Sequence, residues 1–296
     1  MNNPDFETMA AALDATDEYR VLRKLKPRRE IRPRDGTTTR TALFVDVETT
    51  GLDPERHEII EIAMVPFAYG ADGRIFTTGV PFHGLREPHE PISAEITAIT
   101  GIDHAMVAGK SIDPDAIAGF IATADLIIAH NAAFDRRFLE RFCPAFAHKP
   151  WGCSNSQVDW RGEGFEGTRL AYLVAGAGYF YERHRALNDC YAAIELLAMR
   201  LPRSGALAMA SLLEKARVPT WRIWASHASY DLKDTLKARG YRWNGDGHGP
   251  RRAWFIDVLD SEKAAELHFL EIEIYGREVD ILTKRIDAFD RFSDRA

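Results

Sequence analysis

Residues 42–52 read Ala-Leu-Phe-Val-Asp-Val-Glu-Thr-Thr-Gly-Leu. The opening positions are apolar and β-prone, as a buried strand requires, yet two carboxylates follow, Asp46 and Glu48, two positions apart. Side chains at i and i+2 of a strand project from the same face, so both acids point one way. Like charges that close raise each other's pKa unless a cation lies between them. Hard oxygen ligands of this kind select Mg²⁺ or Mn²⁺. The same pair could also end a strand and face solvent, and an Asp-x-Glu pattern alone does not choose between the two.

Outward from this stretch, residues 57–67 read as a second strand and residues 73–82 as a third. Residues 91–102 read as a turn and a short helix, 113–124 as a helix, and 125–131 as a short, continuously apolar strand of the buried type. Two helices follow, over 132–142 and 186–200. Early strands succeeded by strand–helix alternation predict an α/β fold, a mixed sheet with flanking helices. Ahead of it, residues 1–40 form a charged extension, expected as a helix over 5–25 and then a linker. Residues 201–219 read as a connector with some helix, 220–276 as a small α+β module, and 277–296 as a polar tail of helical pattern.

Two further acids stand out on the main domain. In Asn131-Ala-Ala-Phe-Asp135, Asp135 shares helical spacing with Phe138, Leu139 and Phe142, so it lies beside an apolar face rather than among Arg136, Arg137 and Arg141. A carboxylate on the buried side is unfavourable unless paired or bound to metal, although an acid in a first helical turn also complements the helix dipole. In His184-Arg-Ala-Leu-Asn-Asp189, Asp189 borders the stripe of Leu187, Cys190, Tyr191, Ile194 and Leu197. His184 precedes that helix on a loop, where it could be an ordinary surface residue or a group that exchanges a proton near neutral pH. Four carboxylates and one histidine at element ends or sheet-facing positions make about the set that a metal pair needs once substrate and water are added.

The global numbers agree with such a site. Of 296 residues, 46% are hydrophobic, enough for a packed core. Residues 41–200 hold 22 acidic side chains against 13 basic ones, and both flanks are mildly basic, which suits a metal-dependent enzyme with an anionic substrate, or simply ordinary surface charge. No apolar run approaches the roughly 18–20 residues of a membrane span, and the first residues lack a secretory pattern. Three cysteines without metal spacing, Cys143, Cys153 and Cys190, fit a reducing compartment, so the expected location is cytoplasmic and no membrane is involved.

In order and spacing, the stretches Phe-Val-Asp46-Val-Glu48-Thr-Thr-Gly-Leu, His130-Asn-Ala-Ala-Phe-Asp135 and His184-Arg-Ala-Leu-Asn-Asp189 resemble the three motifs of the DEDDh exonucleases. That family includes the proofreading epsilon subunit of bacterial DNA polymerase III and ribonuclease T. Residues 58–67, 91–102 and 151–154 look similar too, and the resemblance covers roughly residues 41–200. It implies an RNase H-like fold and two divalent metal ions per site. It implies that Asp46, Glu48 and Asp189 bind one metal, that Asp46 bridges to the second, with Asp135 near it, and that His184 is the general base. Thr49, Thr50, Gly51 and Leu52 should line the 3′-terminal nucleotide, with Asn131 a further substrate contact; for Leu52, plain core packing is the competing reading. The implied reaction is stepwise hydrolysis from a 3′ end to 5′-mononucleotides. One departure is His89, where a small polar residue is expected, in a loop without catalytic consequence.

The implied substrate is a single-stranded or frayed 3′ end, DNA rather than RNA, and a DNA polymerase is a possible partner. Two competitors stand beside this reading: the same chemistry on RNA, as in ribonuclease T, and a polymerase-tethered nucleic-acid-binding module with secondary nuclease activity. The second rests on the C-terminal unit, which interleaves Trp221, Trp224, Tyr241, Trp243 and Trp254 with Arg222, Lys233, Lys237, Arg239, Arg242, Arg251 and Arg252. Such residues could stack bases and contact phosphates, or the aromatics could simply fill the core of a small module.

Overall fold

The computed structural model describes residues 5–16, 18–245 and 252–296. The chain opens with helix α1 (Phe6–Asp14), capped by Asp5. The helix expected over 5–25 stops there because none of its residues is buried, so no packing holds further turns. Strand β1 (Arg23–Lys24) instead pairs in parallel with a later strand, and Leu25 enters the core.

The central sheet starts with β2 (Thr39–Thr49) and its antiparallel neighbour β3 (Ile59–Gly70). The expected third strand is divided into β4 (Ile75–Thr78) and β5 (Phe82–Leu85), which pair with opposite ends of β3. Gly79 and Pro81 lie in the break, where proline cannot donate to a ladder. Helices α2 (Ala94–Thr100), α3 (His104–Val107) and α4 (Pro114–Ala122) follow. Strand β6 (Leu126–Ala129) lies parallel to β2, α5 (Ala132–Phe142) returns over the sheet, and β7 (Trp151–Cys153) lies parallel to β6. After α6 (Leu170–Gly176), β8 (Tyr179–Phe180) partners β1, and α7 (Ala186–Ala198) crosses the sheet. The order is β4-β3-β2-β6-β7, with β5 also on β3.

Strand β2 sorts its side chains by parity. Leu43, Val45 and Val47 join a cluster with Phe138 and Leu139 of α5. Ala42 and Phe44 join another with Cys190, Ala193 and Ile194 of α7. The even-numbered face, which carries Asp46 and Glu48, is therefore the face that α7 covers. Helix α8 (Ala208–Arg217), inside the stretch expected as a connector, buries Ala208, Met209, Leu212, Leu213 and Ala216 in that same cluster.

The remaining chain forms a four-stranded antiparallel sheet. Strand β9 (Thr220–Ala225), helix α9 (Lys233–Ala238), β10 (Arg242–Trp243), β11 (Trp254–Val258), helix α10 (Lys263–Phe269) and β12 (Thr283–Ile286) are arranged as β10-β11-β9-β12. Helix α10 runs on through a wider turn, Leu270–Tyr275, and stops at Gly276 with φ 61. The helical pattern expected after residue 277 gives way to β12, because the open edge of β9 offers unpaired backbone groups that a strand satisfies. Past β12 the chain returns to the main domain, where the Trp151 N–H donates to the Ala288 carbonyl at 2.8 Å. All three cysteines are unpaired and buried. No helix among the described residues is long and apolar enough to cross a membrane.

In the small module, Trp224 and Tyr241 are buried, whereas Trp243 is half exposed. Three of its arginines meet carboxylates: Arg222 and Arg242 share Asp257, and Arg239 meets Glu266. Core filling accounts for the first two aromatics. Arg251 lies outside the described residues.

Candidate active site

The site is built at the C-terminal end of β2, where three elements converge. Asp46 and Glu48 project from β2 toward α7, and Asp189 in the first turn of α7 meets them. Carboxylate oxygens of Asp46, Glu48 and Asp189 lie within 4.8 Å of one another. Asp135 comes from the opposite layer. Strand β6 pairs with β2 only through Ala42, Leu43 and Phe44. Beyond that point an edge of β2 is open, and Asp135 Oδ1 accepts the Val47 N–H at 3.2 Å.

Four acids gathered this way repel one another in a poorly solvated place. Burial, then the charges of Asp135, Asp189, Glu48 and Glu61, push Asp46 well above the usual carboxylate range. Burial first and then Asp189 and Glu61 push Glu48 up to about 8. Burial pushes Asp135 up to about 8 as well, against the hydrogen bond from Val47. Asp189 is raised by burial, although the Tyr181 hydroxyl donates to its Oδ1 at 2.6 Å and the Arg185 N–H to its Oδ2 at 3.2 Å. The nearby Arg185 is bound to Glu61 and does not offset the four acids, whereas a divalent cation held by hard oxygen donors would. The donor set therefore fits divalent metal.

His184 stands on the loop that enters α7. Its side chain is exposed and its backbone is left-handed, φ 59. Asn131, also exposed, begins α5 with φ 77 and makes no capping bond through its side chain. The Thr49–Leu52 turn is tightly drawn: Thr49 Oγ1 donates to the Gly51 carbonyl at 2.6 Å, and Thr50 exchanges two bonds with Glu58. A Cβ on Gly51 would stand 2.4 Å from the His57 ring, so a side chain there would displace that ring. Leu52 is 81% exposed, so its core-packing reading is overturned: the side chain lies open beside the acids' strand. His89 is exposed and bonds Glu58, away from the four acids.

Sequence reasoning passed over three residues. Tyr181 is one, eight positions before Asp189 and without a motif of its own. His130 is the second: its ring bridges Ser154 Oγ (2.9 Å) and the Thr168 carbonyl (2.8 Å), and burial pushes it down to about 4, so it is neutral. Glu61 is the third, fully buried in β3 directly opposite Glu48. Burial pushes Glu61 up, but hydrogen bonds from His83, Arg185 and Ala186 outweigh it and hold the carboxyl below its ordinary value. An acid inside an apolar strand was the available signal.

Comparison with known proteins identifies the family. The family model described as exonuclease matches residues 43–197, more than half of the chain. Exodeoxyribonuclease 10 of Escherichia coli K12 is 34% identical over 168 residues, covering 55% of this chain and 69% of that protein. A PolC-type DNA polymerase III of Thermotoga petrophila is 40% identical over 101 residues, which is 33% of this chain and only 7% of the polymerase. Among solved structures, exonuclease X in complex with 5′-overhanging duplex DNA is 30% identical, over 58% of this chain and 99% of that one, with a TM-score of 0.43. Exonuclease I matches at a TM-score of 0.50 and 17% identity over 85% of this chain and 63% of that one, a likeness of fold.

Proposed function

Because the chain belongs to the exonuclease family, we propose that it hydrolyses DNA from the 3′ end, one nucleotide at a time, releasing 5′-mononucleotides. The observation that carries the reading is the convergence of Asp46, Glu48 and Asp189 within 4.8 Å, with Asp135 behind them and an exposed histidine at the rim. The DNA preference draws on the 34% identity to an exodeoxyribonuclease.

In this reading Asp46, Glu48 and Asp189, with Asp135 behind them, would hold the divalent metal. When bound, Mg²⁺ or Mn²⁺ supplies Lewis-acid stabilisation of the attacking and leaving oxygens of an in-line displacement. The residues of the chain do the rest. A ring nitrogen of His184 takes the proton of the attacking water, a step its exposure at the rim leaves open to substrate. The Tyr181 hydroxyl and the Arg185 N–H orient the Asp189 carboxylate. Thr49, Thr50 and Gly51 present backbone to the terminal nucleotide, and the exposed Leu52 side chain offers an apolar surface to its base. Asn131 lies at the entry of α5 as a further contact.

The test is a time course on matched 5′-labelled single-stranded DNA and RNA oligomers with Mg²⁺ or Mn²⁺, run beside Asp46→Ala. A ladder shortening from the 3′ end, absent in the variant and faster on DNA, is the expected result. A faster ladder on RNA would reverse the substrate assignment, and shortening from the 5′ end would overturn the polarity.

A further inference from the structure

We infer that Glu61 is a positioning residue that sets the place of His184, through the two residues that follow it in the chain. Glu61 lies on β3 as the cross-strand partner of Glu48, and its side chain is fully buried. Both carboxylate oxygens are taken. Oε1 accepts Nε and Nη2 of Arg185 at 3.2 and 3.0 Å, and stands 2.7 Å from Nε2 of His83. Oε2 accepts the N–H of Ala186, the first residue of α7, at 2.9 Å. With its oxygens committed to these donors, Glu61 is not free to join the metal-binding acids, although it neighbours one of them in the sheet.

The grip matters because of what it holds. His184 is exposed, so its ring is located by its backbone rather than by surrounding side chains. That backbone is in the left-handed region at φ 59, a conformation that a residue other than glycine keeps only when its surroundings over-determine it. The over-determination is visible on one side: Arg185 and Ala186 are bound from β3 by Glu61, and the Arg185 N–H is bound by Asp189. A rigid strand thus fixes the loop that carries the base, on the same strand pair that carries Asp46 and Glu48. Misplacing a reacting group by about 1 Å can lower a rate on the order of 100-fold.

This inference rests on the reading of His184 as the general base, and a double-mutant cycle separates the two. The rates of Glu61→Gln, His184→Ala and the double variant are measured on 5′-labelled single-stranded DNA, with the Mn²⁺ activation curve recorded for each. Glu61→Gln keeps the shape and one acceptor but loses the charge that holds Arg185. We expect it to lower kcat about 10- to 100-fold with KM and the Mn²⁺ midpoint unchanged, and to change the rate less than about twofold once His184 is already alanine. Arg185→Gln removes the same grip from the solvent side and should behave alike, which keeps the test valid where the buried substitution fails to fold. Equal losses in both backgrounds, no loss at all, or a shifted Mn²⁺ midpoint would overturn the role of Glu61 while leaving His184 as the base. An unchanged rate in His184→Ala alone would overturn the base assignment, and the positioning role would fall with it.

Discussion

Arg136, the residue after Asp135, donates Nη1 to the backbone carbonyl of Arg291 at 2.7 Å, tying the helix of a site acid to the end of the chain. Nη2 donates to the Phe289 carbonyl at 2.6 Å and Nε to Glu140 at 2.6 Å, and the guanidinium lies over the Trp151 ring at 5.3 Å. The arginine is fully buried, which is tolerable only because its donors are satisfied. Glu140 is in turn bonded by Ser293 and Arg295. The last ten residues thus act as a strap across α5.

Arg136→Ala should therefore destabilise the protein by about 3 kcal/mol, the range for breaking a buried charge network, and lower the melting temperature by several degrees. Deleting residues 287–296 should do the same and should reduce nuclease activity, since α5 also carries Asp135. Thermal denaturation checks the first expectation. A melting temperature equal to that of the full chain would mean that the strap holds nothing.

Asp46→Ala should abolish turnover without loosening the fold. In the absence of divalent cation the substitution removes a half-buried, repelled acid, so the melting temperature in chelator should hold or rise. The parent protein should be stabilised by added Mn²⁺ through mass action, and the variant much less. Thermal melts with chelator and with Mn²⁺ read both effects, and an equal Mn²⁺ response in the two proteins would count against Asp46 as a ligand.

The acids also predict a pH dependence. Glu48 and Asp135 rise from ordinary values of 4.5 and 3.8 to about 8 in the folded protein. Between those limits the native state holds protons that the unfolded state has released, so stability falls as pH rises. Cation-free protein should be most stable at low pH within this window, and should lose that contribution through about pH 8. Saturating Mg²⁺ should flatten the slope. Denaturant melts at pH 5 and 8.5, with chelator and with Mg²⁺, provide the comparison; a rising slope in chelator would contradict the clustered, cation-free acids.

Leu52 is so exposed that Leu52→Ala should change stability by less than about 0.5 kcal/mol. Losing a side chain that packs on substrate rather than on protein should instead raise KM for DNA oligomers. Urea melts and steady-state kinetics separate the two, and an unchanged KM would remove Leu52 from the substrate surface.

Much of this was carried by local pattern. Alternation in residues 42–48 sets Asp46 and Glu48 on one face, and 3.6-residue spacing forms α5 and α7 within a residue or two of their observed ends. These are short-range effects, in which a residue's environment follows from its near neighbours. Register and packing decided the rest. Asp189 joins Asp46 and Glu48 because α7 crosses the even-numbered face of β2. Glu61 grips Ala186 because β3 sets it opposite Glu48. The tail becomes β12 and a strap because the edge of β9 needed a partner and Arg136 needed acceptors. Local pattern states what each residue is prepared to satisfy; only the closed tertiary structure determines which distant group satisfies it, since those partners come together when loop entropy is overcome by the packing of the whole.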